Sequence, residues 1–298
     1  MTTLFIDWQP QAELFSVGEY ALRWYSLLWF VGLTLALVIV MRLYKQLHID
    51  DEKFEPLFPY CFVGIVAGAR LGHCLFYQPD YYLTSIKGIV EMILPIHQEF
   101  DGSWTFSGYE GLASHGGTIG IILALMLYWR RVGVDKWIVL DIIAIAVPIT
   151  ACCIRLGNLM NSEIIGNPTD VAWAFVFHTP DAMIDGHLVP RHPAQLYEAI
   201  FYFVIFIVGL LIYSHWRNTQ SMSDKTSIAI GTGFYFGLCL TAIFTFRFLV
   251  EFIKKEQVDF EQGMLFDMGQ MLSLPFVAIG IYCLIRAKRL HNKIDCCV

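Results

Sequence analysis

The sequence predicts an all-α polytopic membrane protein of about seven transmembrane helices, with its N-terminus outside and its C-terminus cytoplasmic. Three observations carry this expectation: the shortage of charge, the spacing of apolar blocks, and the one-sided placement of lysine and arginine. Of 298 residues, 56% are hydrophobic and only 15% charged, and the mean hydropathy is +0.56. Water-soluble domains carry roughly 25% charged residues. A chain this poor in charge cannot cover its own surface in water, so the surface it presents is expected to face lipid.

A helix needs about 20 mostly apolar residues to cross a hydrocarbon core roughly 30 Å thick. Seven segments qualify: 24–42, 57–77, 112–130, 137–156, 196–214, 228–250 and 267–286. None alternates with the two-residue period of a barrel strand, so helices satisfy the backbone in lipid. No signal-peptide pattern precedes the first block, which is therefore expected to stay as a span.

Basic residues set the orientation. Arg42, Lys45 and Lys53 follow the first span, and Arg130, Arg131 and Lys136 join the third to the fourth. Arg217 and Lys225 join the fifth to the sixth, and Arg286, Lys288, Arg289 and Lys293 follow the seventh. These are twelve of the twenty basic residues, all on one side, so that side is read as cytoplasmic. Residues 1–298 read as a single integral-membrane domain with outward-facing loops at about 78–111 and 157–195.

The net charge of −6 and the lack of a basic run exclude nucleic-acid binding, which needs clustered lysine and arginine against phosphates. None of the eight cysteines forms a CxxC pair. Most lie in apolar runs and read as small buried hydrophobes, with Cys296 and Cys297 an inert tail. No metal site is expected, since no His/Asp/Glu set has ligand spacing.

Ionisable groups at membrane depth cost at least ~2.5–3.5 kcal/mol to insert. That makes Arg70, His115, Asp141, Arg155, Glu198, Arg247 and Glu251 informative. The bland alternative for each is an internal ion pair that holds helices together. The densest polar cluster runs from Arg155 through Asn158, Asn161 and Glu163. Arg155 and Asn158, three apart, share a helix face. A guanidinium beside carboxamides suits a phosphate, although polar capping of a helix end would look similar. Ser114-His115-Gly116-Gly117 opens the third span. There the glycines allow close approach of backbone or ligand, and the histidine could take a proton from a thiol. Arg191-His-Pro-Ala-Gln-Leu-Tyr-Glu198 leads into the fifth span, where Pro193 suits the first helical turn. Capping and interface anchoring explain this cluster nearly as well as function does. Arg247 and Glu251 are four apart, placed to pair on one helix face. Arg70, between Gly68 and Gly72, either adds a positive charge or anchors the bundle.

Taken together, these clusters resemble the prolipoprotein diacylglyceryl transferase family. The likeness runs from Trp24-Tyr25-Ser26-Leu27 through Gly68–Gly72, Ser114–Gly117, Arg155–Asn158, Asn161–Gly166 and His192–Glu198. It ends at Arg247–Glu251 and Met268-Gly269-Gln270. The resemblance implies a seven-helix fold in the bacterial inner membrane, in agreement with the charge count. It implies phosphatidylglycerol as donor and, as acceptor, the lipobox cysteine of prolipoprotein signal peptides, with no cofactor. Arg155 falls on the family's phosphatidylglycerol-binding arginine. Tyr25, His115, Asn158, Asn161, Glu163, Gly166 and Arg247 fall on positions the family treats as important. On that basis Arg155 and Arg247, with Asn158, Asn161, Gly166 and Glu251, are expected to bind the lipid. His115 is the expected base, and Glu163 the alternative. Four departures stand out: the segment between the second and third spans is long, at roughly 95–110, Ser162 replaces a frequent glycine, Ala151-Cys152-Cys153-Ile154 precedes Arg155, and Ile243 stands where a tyrosine is expected one turn before Arg247. A different class, a membrane transporter of a lipid or small anion, would also carry buried arginines. An intramembrane protease is disfavoured because no GxSxG-like or HExxH motif appears.

Overall fold

The computed structural model describes residues 5–295, except 18–19, 77, 95, 100–101, 107–113, 220–227, 256–265 and 267. Cys296, Cys297, Lys225 and much of the segment before the third span lie outside the described residues. Helices follow in the order α1 (Trp24–Gln46), α2 (Asp51–Phe54), α3 (Leu57–Phe76), α4 (Pro79–Tyr82), α5 (Ile86–Ile93), α6 (Ser114–Val132), α7 (Lys136–Met160), α8 (Ala194–Thr219), α9 (Phe234–Glu251) and α10 (Met268–Asp295). Six stretches are long and apolar enough to cross a membrane: α1, Asp51–Leu75 across α2 and α3, α7, α8, α9, and Gly269–Leu290 within α10. The chain is a polytopic, mostly helical membrane protein. The expected span 112–130 is represented by α6, which has 19 residues and is not among those six.

Short strands lie outside the long helices, five of them in the stretches 78–111 and 157–195 that the sequence reading treated as loop. They are β1 (Ile6–Trp8), β2 (Glu13–Val17), β3 (Tyr20–Arg23), β4 (Ile96–Gln98), β5 (Trp104–Phe106), β6 (Phe175–Phe177), β7 (Met183–Ile184) and β8 (His187–Leu188). β1 and β6 pair in parallel. The other pairs are antiparallel hairpins. Strands of two to five residues carry too little alternation to be legible by periodicity.

The chain divides into two compact units, Met1–Leu43 with Trp137–Val298, and Tyr44–Lys136. In the first unit, α7 runs to Met160, four residues beyond the expected end, because Arg155 and Asn158 continue its last turns rather than breaking it. α9 instead begins at Phe234, six residues later than expected. The cause is Asp141, a fully buried residue. Its Oδ2 accepts the N–H groups of Gly231 and Gly233 at 2.9 Å each, and its Oδ1 accepts that of Phe236 at 3.0 Å. Gly231 and Gly233 adopt the left-handed region, with φ of 91° and 84°. The residues before α9 thus form a turn whose loose amides are capped from α7. Arg286 lies over the Trp137 ring at 3.9 Å and donates to the Thr232 carbonyl. Aromatic stacking joins α8 to α9 through Phe201 and Phe246, 4.0 Å apart, and α9 to α10 through Phe244 and Phe276, 4.3 Å apart.

In the second unit, α3 and α6 meet along glycines. A Cβ added to Gly116 would lie 2.2 Å from the Gly68 carbonyl oxygen, and one added to Gly120 would lie 2.0 Å from that of Gly64. Small residues spaced by four let helix backbones touch where lipid offers no hydrophobic drive. Gly116 therefore serves helix packing, which accounts for that part of the His115-Gly116-Gly117 motif without a ligand. Arg70 is buried in the same unit. It donates to the Glu91 carbonyl at 2.7 Å and to the Tyr82 hydroxyl at 3.3 Å, so it anchors the segment after α3.

Candidate active site

The site lies in the first unit, where the C-terminal ends of α7 and α9 meet the N-terminal ends of α1, α8 and α10. Arg155, in the last turns of α7, donates from Nη1 to Oδ1 of Asn158 at 3.2 Å. The shared helix face expected from their spacing is present. Asn158 passes the chain on: its Nδ2 donates to Oε2 of Glu163 at 3.0 Å. Asn161 donates to the other oxygen, Oε1, also at 3.0 Å. Glu163 is therefore held by two amides.

A strained turn aims that carboxylate. Ser162 and Ile164, on either side of it, both take positive φ, 55° and 57°. Such a conformation is uncommon outside glycine and is an outlier for a β-branched residue. It explains why a glycine would suit position 162. Gln195 donates to the Glu163 carbonyl and so ties this turn to the start of α8.

Glu198, in the first turns of α8, is fully buried. Its Oε2 is 3.1 Å from Nε of Arg155 and 3.3 Å from Nζ of Lys254. Its Oε1 accepts the Tyr202 hydroxyl at 2.9 Å. Pro193 stands just before α8 rather than in its first turn, and its carbonyl accepts the N–H groups of Leu196 and Tyr197.

The expected Arg247–Glu251 pair does not form. Glu251 instead meets Lys254 at 3.1 Å, because the chain turns back after α9 and brings Lys254 beside both carboxylates. Among the described residues, Arg247 makes no ion pair or hydrogen bond. Both Arg247 and Arg155 lie within electrostatic reach of the Tyr202 hydroxyl. Lys254 was not singled out by sequence reasoning, since it lies outside the apolar span and nothing in its spacing points inward. Its signal is the carboxylate three residues earlier.

Gly166 and Tyr25 are close-packing positions. A Cβ on Gly166 would lie 2.6 Å from both Cβ and the carbonyl oxygen of His192, and 2.8 Å from the Ile253 carbonyl oxygen. Gly166 forms a bridge with Lys254, so its lack of a side chain lets the α7–α8 loop hold that lysine in place. Tyr25, at the start of α1, lies against Gly157, where an added Cβ would be 2.9 Å from its ring. Arg191 is buried under the same loop and donates to the carbonyls of Ala182 and Gly166. Burial pulls its guanidinium below the ordinary value. Burial likewise lowers the neighbouring His192. His115 and Arg70 belong to the second unit. His115 occupies the first turn of α6, and its side chain is outside the described residues.

Three cations and three carboxylates, gathered with carboxamides at one end of membrane helices, define a polytopic membrane protein with a charged site at its helix ends. The pattern of the family described as prolipoprotein diacylglyceryl transferase matches residues 12–286. The chain is 55% identical to the phosphatidylglycerol–prolipoprotein diacylglyceryl transferase of Bacteroides fragilis over 279 residues, 94% of each chain. It is 41% identical to the enzyme of that name from Tolumonas auensis, covering 92% of this chain and 94% of the relative. With the one from Chloroherpeton thalassium it shares 39% identity, covering 94% and 93%. The chain belongs to the prolipoprotein diacylglyceryl transferase family.

Proposed function

We propose that this chain transfers the diacylglyceryl group of phosphatidylglycerol to the lipobox cysteine thiol of prolipoproteins. Sulfur attacks the glycerol carbon that carries the phosphate ester. The C–O bond to phosphate breaks, a thioether forms and glycerol 1-phosphate leaves. Beyond family membership, the observation that carries this reading is Arg247, a guanidinium without an ion pair among the described residues, within electrostatic reach of the Tyr202 hydroxyl that also meets Arg155. Such a cation near Arg155, which Glu198 meets through Oε2, offers a phosphate two guanidinium partners.

In this reading Arg155 and Arg247 hold the head-group phosphate and offset the charge of the leaving group, with Asn158 and Asn161 in support. His115 takes the thiol proton, since the thiolate is the nucleophile. Glu163 is the weaker alternative, because two amides already occupy its oxygens. Tyr25, Gly166 and Glu251 keep the helix ends in register, and in-line presentation of carbon to sulfur completes the step. The chain acts as one membrane domain of seven spans, α6 being the seventh. Its N-terminus lies outside the bacterial inner membrane and its C-terminus is cytoplasmic.

Membranes containing the protein, incubated with labelled phosphatidylglycerol and a lipobox peptide, are expected to add the mass of a diacylglyceryl group to the cysteine. A transporter would leave the peptide unchanged. Full turnover by His115→Gln would remove the base assignment.

A further inference from the structure

The Tyr202 hydroxyl meets the Arg155–Glu198 pair and lies within electrostatic reach of Arg247. Its ring is buried against Cys152 and Ala199, with Ile243 and Leu156 packed around them. Its hydroxyl donates to Oε1 of Glu198 at 2.9 Å. That leaves Oε2 as the oxygen facing both Arg155 and Lys254. The hydroxyl also meets the Arg155 guanidinium and lies within electrostatic reach of Arg247. Tyrosine is both donor and acceptor, so one oxygen can restrain the carboxylate and meet a guanidinium together.

We infer that Tyr202 is a positioning residue that holds Glu198 to a one-oxygen contact with Arg155, and so keeps the outer face of Arg155 open to the lipid phosphate. This inference rests on the phosphatidylglycerol reading above. Without the hydroxyl, Oε1 of Glu198 has lost its donor in a buried setting. The carboxylate then turns to take two nitrogens of the guanidinium, the geometry such pairs favour. The lipid must compete with that fork for the same cation. The loss therefore falls on lipid binding and leaves the chemical step largely alone.

Ile243 supplies a way to separate this role from mere packing. It lies one turn before Arg247 on α9 and packs against the cluster that contains Tyr202. A tyrosine there would carry a hydroxyl from α9 toward the same cluster.

The experiment is steady-state transfer from phosphatidylglycerol to a lipobox peptide, comparing the unaltered protein, Tyr202→Phe, and Tyr202→Phe combined with Ile243→Tyr. For Tyr202→Phe, KM for phosphatidylglycerol is expected to rise by roughly tenfold, the weight of one hydrogen bond to a charged group, with kcat within about twofold. The double variant is expected to recover most of that loss. An unchanged KM in Tyr202→Phe overturns the inference. So does a fall in kcat and in melting temperature that Ile243→Tyr does not relieve, since that is the signature of packing alone. If the unaltered protein attaches nothing to the peptide, the functional reading falls, and this inference with it. Transfer by the unaltered protein with unaltered kinetics in Tyr202→Phe removes only the inference.

Discussion

Arg155 and Lys254 lean on one oxygen of the buried Glu198, at 3.1 and 3.3 Å. Sharing has an energetic consequence. Breaking a buried ion pair by removing one partner costs about 3–5 kcal/mol, because the other charge stays buried and uncompensated. Glu198→Gln keeps the shape but leaves Arg155 without its carboxylate and Lys254 with Glu251 alone, so it is expected to destabilise by that order. Lys254→Met is expected to lose less, because Glu198 keeps Arg155 and because Glu251 is 11% exposed and can meet water. Thermal unfolding in detergent checks the order. Equal melting temperatures for the two variants would contradict it.

Arg247 predicts the opposite balance. With no ion pair among the described residues, its removal breaks no pair among them, and Arg247→Ala is expected to melt close to the unaltered protein. If it stabilises charge that develops on the phosphate, transfer should fall by about 10²–10³-fold. Arg155→Ala should lose both activity and stability, since it strands Glu198 against Lys254 alone. Measuring transfer and melting on the same preparations separates the two arginines. A strongly destabilised Arg247→Ala with residual full transfer would reverse their roles.

Much of this arrangement was legible in the sequence, for identifiable reasons. Arg155 and Asn158 share a face because a three-residue step does so on any helix, and the structure keeps that helix going through them. The spans were visible because apolar runs of about 20 residues need only composition. The Arg247–Glu251 expectation applied the same helical rule and failed. The chain leaves the helix after Glu251 and returns Lys254 to the carboxylates, and a turn of that kind has no periodicity to read. Asp141 was legible as costly but not as a cap, because its partners are backbone amides some 90 residues away. Gly166 was legible as a family position. Its reason, the crowding of His192 and Ile253 around it, is tertiary.

That crowding makes Gly166→Ala a sharp probe. The added methyl would meet His192 at 2.6 Å and the Ile253 carbonyl oxygen at 2.8 Å, and two of those three contacts are backbone. The loop after α7 and the end of α9 must separate, at a cost of about 1–3 kcal/mol typical of overpacking. The Gly166–Lys254 bridge should loosen with them and move Lys254 from Glu198. Transfer is therefore expected to fall in proportion to the loss of stability. Gly157→Ala meets mainly the Tyr25 side chain, at 2.9 Å, which can shift, so it should be milder. Equal effects from the two alanines would mean that the backbone at Gly166 yields more easily than its contacts imply.

Acid should release the segment after α3 at one carboxylate. Glu91 is 3% exposed, and burial works to raise its pKa. The Tyr81 hydroxyl at 2.6 Å, the Gln98 N–H at 3.0 Å, His97 at 3.3 Å and Lys87 at 3.7 Å outweigh that burial and hold it below its ordinary value of 4.5. The same contact pushes Tyr81 up to about 12. A carboxyl depressed in the folded state stabilises fully above its unfolded value, and the contribution is lost as pH falls through the folded value. Protection of the Gln98 amide against hydrogen exchange, corrected for the intrinsic rate, should thus fall as pH drops below about 4.5. Glu91→Gln can still accept these hydrogen bonds but has no charge for Lys87 or His97. It should show reduced protection already at pH 7, with the step at low pH abolished. A step that survives in Glu91→Gln would place the acid-sensitive group elsewhere.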